Sequence, residues 1–350
     1  MRYTLKKRRA KLLLEYAEIP TKDTRYAYTT GRIRALEVDL LEEADFSRMK
    51  QADKVGEALG ILAKIFPYSE SIKDIKEEKE FEKGLDKELK RTHKELRHFC
   101  PEPDLVDLFW LENDFYNLKV LLKIHFQKKL SKEIFVSLKP ALSLAGTLDI
   151  RVLGEAVEKE DFTQLPSHFR TLLEKTFPLV ENNPHPQFLD SFLDREFFQW
   201  VWLKTQKYSD SFLSHLIQLW IDSFNIKAFL RIKSWQKELL EEVLVEGGLI
   251  DKGQLLQLSY QGIQAIVDEF KNANYPEAVK EALEEWEKEG SLFILDKFFD
   301  ECILKHTYCG FYITFAREPL VNYIFLKKCE IKRLRIILRT KLAGVSSYKL

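Results

Sequence analysis

The side chains in this sequence that could do chemistry come in few groupings, and each falls short of a site. Glu95-x-x-His98 has the spacing by which one helix offers two ligands to a di-iron centre, but such a bundle needs a second Glu-x-x-His, and none occurs. Cys302, His306 and Cys309 could meet at a helix end, with Cys100, His98 or Cys329 completing four zinc ligands, yet the spacing fits no zinc-finger pattern. Four scattered cysteines without a Cys-x-x-Cys pair read instead as buried thiols. Cradling a nucleotide phosphate takes Gly-x-x-x-x-Gly-Lys-Ser/Thr or Gly-x-Gly-x-x-Gly, and neither is present. There is no Gly-x-Ser-x-Gly elbow and no His-Glu-x-x-His, and the seven histidines are too dispersed to nominate a base. The sequence therefore nominates no catalytic residue, no metal and no cofactor.

What remains is a chain built to form many helices. Lys plus Arg is 55 and Asp plus Glu is 55, so the net charge is zero and nothing draws the chain as a whole to nucleic acid. Only 13 Gly and 11 Pro among 350 residues, with 31% charged residues, favour salt-laced helices over sheet and turn. No eighteen-residue stretch is apolar throughout, so no span of a bilayer is expected. The basic start, Lys6-Lys7-Arg8-Arg9, is followed by Leu12-Leu13-Leu14 and then Glu15, too short an apolar run for a secretory signal, and a cytoplasmic chain is expected.

The periodicity supports an all-α fold. Phe81, Leu85, Leu89 and Leu96 make one stripe of a charged helix over 79–99, stopped by Pro101 and Pro103. A second helix is expected from a cap at Asp104 through Leu118 to Phe126. Pro276 fits a first helical turn, and Gly290 an end. The longest irregular segment is expected over 177–188, where Pro178, Pro184 and Pro186 flank Asn182 and Asn183, and a shorter one at Gly247-Gly248.

The chain also repeats itself. Asp114-Phe115-Tyr116-Asn117-Leu118-Lys119-Val120-Leu121-Leu122-Lys123 returns 108 residues later as Asp222-Ser223-Phe224-Asn225-Ile226-Lys227-Ala228-Phe229-Leu230-Arg231. A weaker third copy, Glu330-Ile331-Lys332, lies 105 residues past Asn225 and leads into a basic helix containing Arg335. Leu85-Asp86-Lys87, Leu189-Asp190-Ser191 and Leu295-Asp296-Lys297 recur at 104 and 106. Asp45-Phe46-Ser47 and Asp161-Phe162-Thr163 pair at 116. Three units of domain size are too large for an open solenoid and can close about a pseudo-threefold axis; the expected divisions are 1–128, 129–238 and 239–350.

The chain resembles the C subunits of the V/A-type ATPases and ATP synthases, equivalents of the d subunit in the eukaryotic vacuolar enzyme. The resemblance spans the chain and is carried by Tyr26-Ala27-Tyr28 with Arg32-Ile33-Arg34-Ala35-Leu36-Glu37, by Phe115-Tyr116-Asn117-Leu118-Lys119, by Gly247-Gly248, and by Pro319-Leu320-Val321, Tyr323, Lys327 and Glu330-Ile331-Lys332-x-Leu334-Arg335. It implies an all-α, funnel-like protein of three similar domains about a pseudo-threefold axis, with no catalysis or cofactor of its own. It also implies a rotor socket, peripheral on the cytoplasmic side of the membrane, that links the proteolipid c-ring to the D and F subunits of the central shaft. Torque for proton or sodium transport would pass through it, and membrane contact would be through protein only.

The candidate partner-interface residues are Arg32, Arg34, Glu37, Lys119, Lys227, Lys332 and Arg335. Arg34 and Glu37 could equally form an intrahelical pair, and the lysines could snorkel. Asn117 and Asn225, poor helix formers in matching places, read as buried amides bonded to a neighbouring helix; with Glu330, Asp86, Asp190 and Asp296 they are the candidate structural repeat positions. Two other readings compete: an all-α metal-binding enzyme using His98, Cys302 and His306, and a generic helical scaffold.

Overall fold

A computed structural model describes residues 24–130, 142–182, 185–232, 237–258, 261, 263–272, 275 and 278–344. Every regular element among them is helical, in keeping with the all-α reading. The basic run and leucines before residue 24, together with Asn183, Pro184 and Pro276, lie outside the described residues. In chain order the α-helices are α1 Ala27–Leu36, α2 Glu43–Gln51, α3 Val55–Leu62, α4 Tyr68–Ile72, α5 Phe81–Phe99, α6 Pro103–Leu108, α7 Leu111–Leu130, α8 Ile150–Lys159 and α9 Ser167–Asn182. They continue as α10 Pro186–Gln206, α11 Ser211–Ile232, α12 Lys237–Val243, α13 Lys252–Leu258, α14 Ile263–Asn272, α15 Ala278–Glu289, α16 Phe293–Thr307 and α17 Glu318–Leu342.

Two compact units are distinguished, Met1–Val106 with Leu304–Leu350, and Asp107–Ile303. In the first, the α5 stripe of Phe81, Leu85, Leu89 and Leu96 is buried as its spacing requires. Cys100 leaves the helix with extended backbone while its N–H still bonds the Leu96 carbonyl at 3.0 Å, and Pro101 forbids another turn. A reciprocal box of Glu42 and Asp45 caps α2. The 25-residue α17 starts with proline in its first turn and buries Leu320, Ile324, Ile331, Leu334 and Leu338. Each contributes about 2 kcal/mol of hydrophobic stabilisation. That face packs on α1, α2, α3 and α5, so the last helix of the chain completes a core begun by the first ones.

In the second unit, α7 packs on α8 and α10, and α10 on α11 and α12. Phe115 of α7 meets Phe169, Phe197 and Trp200 at ring separations of 5.6, 5.2 and 6.4 Å. A second aromatic group joins Phe270, Tyr275 and Phe299.

The helix boundaries depart from the sequence expectation in two places. The helix expected from Asp104 to Phe126 is broken into α6 and α7 by tight turns in which Trp110 N–H bonds the Asp107 carbonyl at 2.8 Å and Asn113 N–H the Trp110 carbonyl at 3.0 Å. Phe109 and Trp110, at the break, are both fully buried. The irregular segment expected over 177–188 is mostly helical: α9 runs through Pro178 to Asn182, and α10 begins at Pro186 with the His185 ring as its cap. Pro178 forfeits one helical N–H, but Phe177 and Val180 on either side are buried and hold the turn.

Candidate functional site

The repeated segments converge on one arrangement made three times. Asp114 of α7 is fully buried and accepts from the backbone N–H of Thr147 at 3.0 Å, its hydroxyl at 2.6 Å and Leu148 N–H at 3.0 Å. Asp222 of α11, also fully buried, accepts from Leu249 N–H at 3.0 Å, Ile250 N–H at 3.3 Å and the Tyr275 hydroxyl at 2.7 Å. Glu330 of α17 accepts from Leu41 N–H at 2.6 Å, the Tyr68 hydroxyl at 2.5 Å and Lys327 Nζ at 2.7 Å. Leu41, Leu148 and Ile250 each stand one residue before an acid that caps the next helix: Glu42, Asp149 and Asp251. The hydrogen bonds thus align Asp114, Asp222 and Glu330 at an even step of 108, three residues from the pairing of Glu330 with Asn225 suggested by the sequence. Each long helix clasps a turn, and the third clasp closes on the beginning of the chain.

The turns are shaped for this. At Gly146 and Gly248 an added Cβ would run into the clasping carboxylate itself, so the backbone comes as close as it does only because both are glycine. Asn117 and Asn225 complete the clasp. Asn117 donates to the Ser143 carbonyl at 2.9 Å and accepts from its N–H at 2.7 Å; Asn225 does the same with Val245 at 2.8 and 2.9 Å. These amides bond turn backbone, where the sequence reading expected a neighbouring helix. In the third copy the position is Arg333, which bonds Glu43 at 2.8 Å and lies 3.8 Å over the Phe46 ring.

One turn further along each long helix stands a cation. Lys119 pairs with Asp194, and Lys123 with Asp190 at 2.7 Å, joining α7 to α10. Lys227 pairs with Asp296 at 2.6 Å, joining α11 to α16. Arg335 pairs with Glu82 at 2.7 Å and Asp86 at 3.2 Å, and Arg339 with Glu82 at 2.6 Å, joining α17 to α5. Asp296 and Asp86 thus receive the matching cations Lys227 and Arg335, whereas in the first copy Asp190 takes Lys123 and Lys119 turns to Asp194. Half-exposed pairs of this kind contribute at most about 1 kcal/mol each, so they set alignment more than stability. Lys332 lies half-buried on α17 outside this set.

The joint of α17 with α5 has a further element. Lys327 and Glu88 are buried, 3.2 Å apart, with Glu330 and Lys327 at 2.7 Å. Burial alone would raise the Glu88 carboxyl, but hydrogen bonds from Arg91, the charges of Lys327 and Arg91, and the Ser71 hydroxyl hold it below its ordinary value. Burial, with the neighbouring Glu330, pushes the Tyr68 hydroxyl well up, so it stays a donor. Burial likewise pushes the Asp222 carboxyl up to about 7, against the lowering effect of its three donors.

On α1, Arg34 bonds both oxygens of Glu37 at 2.7 and 3.0 Å and the carbonyls of Gly310 and Ile313 at 2.6 and 3.1 Å. It edges a cleft of about 270 Å³ lined also by Ala27, Thr30, Gly31, Phe311 and Tyr312. Arg32 reaches Glu95 at 3.1 Å while remaining 46% exposed. Glu95 also takes Arg91 at 2.7 Å, so the one glutamate with di-iron spacing is occupied by two guanidiniums. Among the described residues no group of three or more His, Cys, Asp or Glu is placed to hold a metal. Burial pushes the Cys100 thiol up to about 11 and the Cys309 thiol up to about 12, which leaves them protonated and unreactive at neutral pH. No described helix is long and apolar enough to cross a membrane.

The sequence signal for Asp114 and Asp222 lies in the matched segments, where both aspartates are kept. Glu88 escapes the sequence reading; its signal is a charge where the repeat holds Phe192 and Phe298.

Residues 29–350 match the ATP synthase (C/AC39) subunit family. Among curated proteins, the C subunit of the A-type ATP synthase of Methanocaldococcus jannaschii is 24% identical over 341 residues, covering 91% of this chain and 84% of that protein. The C subunit of the V-type sodium ATPase of Enterococcus hirae is 23% identical over 308 residues, covering 87% and 90%. The C subunit of the A-type ATP synthase of Thermococcus kodakarensis is 23% identical over 338 residues, covering 91% and 87%.

Proposed function

The chain belongs to the ATP synthase (C/AC39) subunit family, and from that premise we propose that it is a non-catalytic rotor part, a socket joining the central shaft to the membrane c-ring of a rotary ATPase. It receives the D and F subunits of the shaft on one side and sits on the proteolipid ring on the other, peripheral to the membrane on its cytoplasmic face. Torque between nucleotide chemistry elsewhere in the complex and proton or sodium movement passes through it. Three like units, about 1–128, 129–238 and 239–350, are arranged in a funnel about a pseudo-threefold axis in this reading.

The observation that carries the reading is the clasp repeated at Asp114, Asp222 and Glu330, with the last helix closing on the first turns. A torque-bearing part must resist shear at every joint, and buried carboxylates gripping backbone do so without relying on exposed pairs that salt screens. A protein that repeats one geometry suits partners with rotational symmetry. Lys119, Lys227 and Arg335 act first as internal joint cations, and the partner-facing candidates are Arg32, which stays 46% exposed, and the Arg34–Glu37 pair beside the α1 cleft.

The test is a pull-down with size-exclusion chromatography of the full chain against the detergent-solubilised c-ring and, separately, against the isolated D and F subunits. Stable association with both is expected. Association with neither, by a chain of native helicity, would refute the socket.

A further inference from the structure

The three joints are alike in backbone plan but differ in what they bury. A step of 108 places Leu111, Leu219 and Lys327 at one position of the long helices. The residue after each Leu-Asp-x motif is Glu88, Phe192 and Phe298. Leu111, Leu219, Phe192 and Phe298 are all buried, so two joints are apolar at both positions. The joint between α17 and α5 has an ion pair there, Lys327 to Glu88 at 3.2 Å, as deeply buried as the apolar residues it replaces. This is also the joint whose two sides lie at opposite ends of the sequence.

A buried ion pair is a poor source of stability, because desolvation offsets most of its attraction, but a strong source of selectivity, since either partner alone is a costly unpaired charge. We propose that Glu88 and Lys327 form a pairing key that directs α17 to α5 and away from the two similar apolar joints. Docked beside Phe192 or Phe298, α17 would bury the Lys327 ammonium against an aromatic ring, with Glu330 of its own helix as the carboxylate left to it. Docked beside Glu88, α7 or α11 would set leucine against a buried carboxylate that keeps Arg91 but loses its cation across the joint. The key is needed at this joint because Arg335 and Glu82 there lie 253 residues apart, whereas the matching ion pairs of α7 and α11 span 75 and 69. Arg91, Ser71 and Glu330 complete the charge balance around the pair: Arg91 and Ser71 hold Glu88 at 2.9 and 2.8 Å, and Glu330 holds Lys327 at 2.7 Å.

The full chain can test this with three variants. Glu88→Phe and Lys327→Leu singly strip the remaining charge of its partner across the joint, leaving Lys327 to Glu330 alone or Glu88 to Arg91 and Ser71, and protection of α17 amides against hydrogen exchange should fall by about tenfold or more. The double variant Glu88→Phe/Lys327→Leu gives this joint the residue types of the other two. It should recover most of the protection lost in the singles, yet after dilution from urea it should give a mixture. Light scattering on a sizing column would show exchanged oligomers, and exchange would show monomers with α17 unprotected, where the parent refolds to one species. Lys327→Arg keeps the key and should refold as the parent does. A double variant that refolds to a single monomer with the parent's protection would overturn the proposal. So would one that recovers nothing over the singles, because the two residues would then not act as a pair.

Discussion

Asp222 offers the sharpest test of how the clasp works. Its carboxyl is fully buried with three donors aimed at it, and burial raises its pKa to about 7, whereas an unfolded chain would give about 3.9. Between those values the folded protein binds the proton and the unfolded chain does not. A raised carboxyl therefore makes stability fall as pH rises from about 4 to about 7, with a limiting slope of about 1.4 kcal/mol per pH unit. Integrated from pH 5 to pH 7, the loss is about 2 kcal/mol. Asp222→Asn cannot titrate. It keeps one acceptor but turns an amide N–H toward groups that also donate, which costs about 1–3 kcal/mol at neutral pH. The assay is urea unfolding at pH 5, 6 and 7, followed by circular dichroism and by exchange at Leu249 and Ile250, whose N–H groups the carboxylate holds. The parent should be the more stable at pH 5, and the gap between parent and variant should narrow by about 2 kcal/mol by pH 7. A gap that stays constant or widens with pH would refute the reasoning, because the donors would then be keeping Asp222 ionised throughout.

Gly146→Ala and Gly248→Ala should each cost about 1–3 kcal/mol, since the new methyl meets the clasping carboxylate; thermal melts of the two variants check this. Arg339→Ala should change stability by less than about 1 kcal/mol, and the small difference should vanish in about 1 M salt, because its pair with Glu82 is exposed. Trp110→Ala, which empties a fully buried site at the α6–α7 break, should cost about 3–5 kcal/mol in urea unfolding. A thiol reagent at about pH 7.5 should label Cys100 and Cys309 far more slowly than denatured chain, both because they are largely buried and because their thiols stay protonated; rapid labelling in the folded protein would count against this packing.

The helical class, the α5 stripe and the repeat are legible in the sequence because each rests on periodicity, which survives without tertiary knowledge. Asn117 and Asn225 stand out for the same reason, as poor helix formers in matching places. Their partners do not, because a turn 20 or 26 residues away carries no periodic signal. Asp114 and Asp222 sit in the matched segments but look like ordinary helix acids, and only the glycines opposite reveal how closely backbone approaches them. Glu330 falls three residues out of register in the sequence comparison, since the copies share charge there but little else, and a hydrogen bond to Leu41 fixes an alignment that letters could not. The helix through Pro178 defies the local pattern because proline speaks locally, whereas Phe177 and Val180 act through a core that the local pattern does not contain.

Because α17 completes a core that α1 to α5 begin, the order of synthesis matters. When Val106 leaves the ribosome, its unit still lacks Glu318–Leu342, and 211 further residues must be made before that helix starts. At about 5–20 residues per second the wait is roughly 10–40 s, long against the collapse and pairing of small helical segments. Through that interval α5 lacks α17, one of the helices packed on it in the finished protein, while Asp107–Ile303 can fold as it emerges. The first hundred residues out of the tunnel are thus among the last to be secured, and a ribosome stalled before codon 318 should yield a nascent chain whose later half resists protease and whose earlier half does not.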